Sequence, residues 1–146
     1  MTFIRNLLLP LALLGFSGGA SAEDIAARGW SADWKVIGVA EDRTEVLVRP
    51  ESIAQLQPSA ERAFPVRQVW VGFDATPSGR VGQGRKISLF RYDCTAQRLL
   101  IAAATDYAAD GSVLARNAVD ADRADQYQPV EPDTLGAAIM AEACAA

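Results

Sequence analysis

A chain of 146 residues with no histidine, two cysteines and a net charge of −4 has a short menu of chemistry. Without histidine there is no Ser-His-Asp triad, no imidazole acid–base group and no histidine metal ligand, and two cysteines alone do not build a structural zinc site. Carboxylates are left, none marked out as a pair, so the composition points away from an enzyme and implies no cofactor.

Met1–Asn6 carries one cation, Arg5, and Leu7–Phe16 is an apolar run broken only by Pro10 and Gly15. Ala20-Ser21-Ala22 follows with the small-x-small form of a cleavage site, so residues 1–22 read as an export signal. The run is shorter than the roughly 20 residues that span a bilayer. The expected mature chain is a single domain over residues 23–146, periplasmic, extracellular or at the cell surface. No cysteine follows the cleavage site to take a lipid, and no second apolar run exists.

In the mature chain Ala27–Asp33 is a loose stretch whose Trp30 is either a strand-edge cover or a contact residue. Trp34–Val39 and Glu45–Val48 are short β-branched runs around the polar Glu41-Asp42-Arg43-Thr44, which predicts a hairpin, and Pro50–Ile53 predicts a helical turn. Val66–Asp74 alternates, with Val69, Val71 and Phe73 on one face and Gln68, Trp70 and Asp74 on the other. Arg85–Cys94 alternates too, setting Ile87 and Leu89 opposite Phe90, Tyr92 and Cys94. Thr76–Gly84, rich in Gly, Pro and Ser, joins the two strands as a long mobile tip.

Leu99–Tyr107 contains the helix-prone Ile101-Ala102-Ala103-Ala104, yet Asp110-Gly111 and a resumed run at Ser112-Val113-Leu114 signal a hairpin, so a strand is expected. Asp120–Tyr127 reads as an acidic loop. Pro132-Asp133-Thr134 opens a helix on which Leu135, Ile139, Met140 and Ala143 share a face.

An even cysteine pair in an exported chain reads as a disulfide, Cys94–Cys144. It would bond this helix onto the strand that carries Phe90 and Tyr92. The expected fold is α+β: an antiparallel sheet covered on one face by a C-terminal helix tethered by the disulfide.

Charge is segregated along the mature chain, with balances of −4 over residues 23–61, +5 over 62–98 and −6 over 106–146. Two roles compete for the basic middle: an anion-binding face, or strands neutralised by acidic neighbours. Within it Arg80, Arg85 and Lys86, with Arg91, are the candidate prong for an acidic protein patch or a sulfated glycan. Gly79, Gly82 and Gly84 match neither GxGxxG nor a Walker A loop, and a strand follows them, so no nucleotide site is expected. Asp120, Asp122 and Glu131 fall at positions 1, 3 and 12 of a calcium loop, but Ala124 and Asp125 stand at positions 5 and 6 and Pro129 interrupts it. No metal site is expected.

The succession Asp33-Trp34 opening a strand, VRPESI at Val48–Ile53, VWVGFD at Val69–Asp74 and RYDC at Arg91–Cys94 resembles the surface-adhesin protein E family. Tyr107, Asp110-Gly111, Pro132 and Cys144 continue the resemblance to the end of the chain. It implies a twisted sheet of about six strands with the helix tethered to its concave face. It also implies a surface protein that binds host matrix and plasma proteins and can form a homodimer. The missing lipid or membrane anchor is a departure, and it leaves a soluble periplasmic accessory protein as the alternative. Neither a nucleic-acid partner nor a membrane span is expected.

Overall fold

The computed structural model describes residues 30, 31, 33–79 and 84–145; the expected export signal lies outside them. The strands are β1 (Lys35–Val39), β2 (Glu45–Val48), β3 (Ala54–Leu56), β4 (Val66–Asp74), β5 (Arg85–Asp93), β6 (Arg98–Tyr107), β7 (Val113–Ala118) and β8 (Gln128–Pro129). Among the described residues there is one α-helix, α1 (Leu135–Ala145). The sheet runs β1-β2-β4-β5-β6-β7, with every pairing antiparallel; β3 lies beside β4 and β8 beside β6.

The expected faces are the observed ones. Val46, Val48, Val69, Val71, Phe90 and Tyr92 form one buried layer, and Leu135, Ile139 and Ala143 of α1 pack onto it. The β1–β2 hairpin, the turn at Pro50–Ser52 and the strand over residues 98–107 stand as read from the sequence. The Asp110-Gly111 turn closes with Gly111 at φ 88, while the Asp110 carboxylate accepts the Ser112 amide at 2.9 Å.

The helix begins later than its sequence suggests. Pro132 and Asp133 form a turn ahead of it, with Asp133 at φ 58, a conformation no helical residue adopts. Thr134 is the cap: its hydroxyl accepts the Ala137 amide at 3.3 Å and donates to the Glu131 carbonyl at 2.7 Å.

At the other end of α1 the disulfide Cys94–Cys144 ties helix to sheet. Midway, the Tyr92 hydroxyl donates to the Gly136 carbonyl at 2.9 Å from a fully buried position. Burial holds that phenol well above its ordinary value of 10.0. The native state therefore keeps its proton where the unfolded chain loses it, so this contribution is full below pH 10 and is lost as pH rises above it. Tyr92→Phe is expected to cost about 1 kcal/mol at neutral pH. It should also flatten the fall in stability above pH 10, and denaturant titrations at pH 7 and pH 10.5 measure both effects.

The second face is covered in two patches, neither of them helical. Trp30 and Trp34 sit over Leu47 and Ile87 at one end. At the other end Phe64 and Tyr127 pack with Val66 and Leu100. Trp30 and Trp34 thus have sheet contacts, with Trp30 a buried cover, and Trp70 lies within β4.

Candidate functional site

The four basic candidates are not gathered into a prong. Arg85 and Lys86 are neighbours in β5 and project to opposite faces. Arg85 lies over the Trp30 ring at 5.1 Å on the second face, whereas Lys86 pairs with Asp106 at 3.4 Å on the helix face. Arg91, near the other end of β5, is 3.7 Å from Asp122. Arg80 lies outside the described residues. Much of the charge segregated along the sequence is thus recombined by strand pairing.

A second cationic group went unread in the sequence. Arg62 is 2% exposed. Its guanidinium donates to the carbonyls of Phe64 and Gln57 and lies 3.5 Å from Asp122. Arg98 stacks on Phe64 at 4.7 Å and pairs with Asp93 at 2.8 Å. Tyr127 packs edge-on against Phe64, and its phenol is raised by burial against the opposing pull of Arg62 and Arg91. These contacts fasten the 57–64 and 119–127 loops to the sheet. No sequence spacing signals that arrangement, because an arginine becomes a core residue only when backbone carbonyls converge on it.

Of the calcium-template residues, Asp120 and Asp122 come together with Glu61, their carboxylate oxygens within 4.8 Å of one another, and Glu131 is not among them. Asp122 already faces Arg62 and Arg91, so its charge is committed to holding the loop.

The surface left uncovered is on the β7 side. All six residues of β7 are exposed, and its outer edge carries no strand among the described residues. Val113 and Leu114 are 45% and 63% exposed, with Val119 beyond them also open. An exposed apolar edge strand is a template for pairing with another chain. The DG signal found this strand, but only the sheet order makes it outermost.

Beside it lies a slot of about 540 Å³. The outer neighbour of β6 is split: β7 pairs with Ala103–Tyr107 and β8 with Arg98–Leu99, leaving Leu100–Ala102 between them. Ala102 is an extra residue relative to β5, where Leu89 pairs with Ala103 and Phe90 with Ile101. Such a bulge bends a strand locally. The slot opens at this bend, reaching from Val119 to Val130 and the start of α1.

Among the described residues no helix is long and apolar enough to cross a membrane. A family model described as surface-adhesin protein E matches residues 34–145, nearly all of the described structure. No curated protein and no solved structure matches the chain.

Proposed function

The chain belongs to the surface-adhesin protein E family, and from that premise we propose that it is an exported, non-catalytic binding protein that engages a protein partner through the β7 side of its sheet. The observation that carries this reading is a six-residue edge strand exposed along its whole length. A protein partner fits that edge because main-chain pairing supplies affinity and the exposed Val113, Leu114 and Val119 supply apolar contact. Host matrix or plasma proteins are the partner class that the family suggests.

Absence of catalysis is supported by the sequence, which has no histidine. Among the described residues the displaced pKa values also fall on two packed tyrosines and two exposed ionic groups, Asp110 and Arg123, rather than on a pair in a cleft.

Binding of the mature chain to immobilised matrix and plasma proteins tests the proposal. Lysines at exposed edge positions add charge without emptying the core, so Val113→Lys with Leu114→Lys is expected to leave Tm within a few degrees. The same pair should weaken partner binding at least about tenfold. Unchanged binding would remove β7 from the reading.

An acidic glycan remains a second ligand class for the basic hairpin. Arg85 and Arg91 share the second face there, and Arg80 adjoins it in sequence. Heparin retention compared between wild type and an Arg80, Arg85 and Lys86 triple alanine variant separates this site from the β7 edge. Equal retention sinks the hairpin site. Cell fractionation with surface protease then distinguishes adhesion from an accessory role inside the envelope: cleavage of the protein on intact cells supports surface display.

A further inference from the structure

The sheet has two places where a strand's neighbour is split, and they are treated differently. Beside β4, the break between β2 and β3 is filled by the chain itself: the Trp70 amide donates to the Ser52 hydroxyl at 2.9 Å, and the Arg49 amide donates to the Trp70 carbonyl at 3.1 Å. Beside β6, the break between β7 and β8 is closed only at its ends. The Val119 amide donates to the Ala102 carbonyl at 3.0 Å at one end, and Gln128 pairs with Leu99 at the other. Between them, no side chain among the described residues hydrogen-bonds to the main chain of Leu100 or Ile101. One break is plugged and the other is a slot.

The lining sets what could occupy it. Leu99, Ile101, Ala103, Val119 and Val130 make its walls predominantly apolar. Among the described residues no lysine or arginine lines it, and the charged residues there are Asp125 and Glu131. Arg123 pairs with Asp125 at 2.9 Å, whereas Glu131 has no ion-pair partner among the described residues. The amide end of α1 would favour an anion. Its Thr134 cap already answers the Ala137 amide, and Glu131 and Asp133 precede it, so an incoming carboxylate meets like charge. The complementary occupant is apolar in its body, cationic at its ends and extended in its backbone.

We infer that the β6 slot is a peptide-docking site that takes a short extended segment of a partner protein, an apolar residue flanked by lysine or arginine, as a substitute for the missing piece of strand beside Leu100 and Ile101. The segment's main chain bonds to the open stretch of β6, its apolar side chain enters against Leu99 and Ile101, and a flanking cation meets Glu131. This rests on the reading of the chain as a protein-binding module and adds the sequence preference that the β7 edge lacks.

The probes are two capped tetrapeptides, Lys-Ile-Val-Lys and Glu-Ile-Val-Glu, titrated to millimolar concentration into the labelled mature chain and followed by amide NMR shifts. The basic peptide is expected to shift the amides of Leu100, Ile101, Val119 and Val130, and to bind at least tenfold more tightly than the acidic one. Glu131→Gln should reduce that preference several-fold. Ala118→Trp fills the slot from an exposed strand position and should abolish the shifts, while the rest of the spectrum, which reports folding, is unchanged. Equal binding of the two peptides, shifts confined to other surfaces, or no shifts at millimolar peptide would each overturn the inference. A partner protein lost by Val113→Lys with Leu114→Lys but retained by Ala118→Trp also overturns it, and leaves the β7 reading standing.

Discussion

Cys144→Ser is expected to lower Tm by roughly 10–20 °C and to free the last helix from the sheet. The bond closes a sequence separation of 50 residues, and in the chain-entropy model a loop of that size contributes about 4 kcal/mol. Stability for a domain of this kind is typically about 5–15 kcal/mol, so the loss is a large share. Its consequence is directional. Leu135, Ile139 and Ala143 still favour the sheet, but the last turn loses its covalent anchor, leaving the exposed Lys35–Glu142 pair at 3.4 Å as its polar contact. An exposed pair like that contributes little. Amide exchange over Leu135–Ala145 should therefore accelerate more than exchange in β4 and β5, and a dye that reports apolar surface should detect Phe90 and Tyr92. Reduction of the wild-type protein should reproduce both effects. An unchanged Tm with unchanged helix exchange would mean that burial alone seats α1.

Gly72→Ala is the second large effect, and it acts on the opposite face. Gly72 lies within β4, between Leu47 of β2 and Ile87 of β5. A Cβ there would stand 2.5 Å from Cη2 and 2.7 Å from Cζ3 of Trp30. Carbon atoms do not approach so closely, so the indole must leave its place over the strand. With it goes the hydrogen bond from Trp30 Nε1 to Asp74 at 2.8 Å, the contact with Trp34 and the surface on which Arg85 stacks. Asp74 is fully buried and would keep only its bonds from Thr76. Lost burial of a large side chain together with one buried hydrogen bond gives a cost of about 2–4 kcal/mol. Denaturant unfolding measures this cost, and a red shift of tryptophan emission marks the indole leaving. In a Trp30→Ala background the same substitution should cost little, since the clash is gone. Full additivity of the two changes would refute the mechanism.

These two substitutions differ in how visible their targets are in the sequence. The cysteine pair is legible because two residues allow one pairing, and the alternation of Arg85–Cys94 assigns Cys94 to the face of Phe90 and Tyr92. Nothing local marks Gly72. Its meaning depends on Trp30, 42 positions earlier in the numbering, whose stretch has no periodicity to place it. The same holds for Arg62, which reads as one more surface cation until the 57–64 loop folds its carbonyls around it.

The candidate site divides in the same way. The cationic run of Arg80, Arg85 and Lys86 is conspicuous along the chain, yet a strand sends Arg85 and Lys86 to opposite faces, where the stretch ahead of β1 supplies Trp30 to one and the neighbouring strand supplies Asp106 to the other. The exposed edge and the slot have no comparable signature. VLARNA at Val113–Ala118 resembles any half-apolar strand, and the acidic loop after it gives no hint that β8 will return to β6.

By itself the sequence determined the longer strands, their two faces, the helix stripe, the disulfide and the family, because each follows from a local period of 2 or 3.6 residues, a count of two or short contiguous motifs. It did not determine the short β3 and β8. Tertiary structure alone decided which strand became the edge, which charges were neutralised and where β6 was left open. Those are matters of register between segments far apart in the chain, and one side chain's neighbours across a sheet are fixed only when every strand between them has found its place.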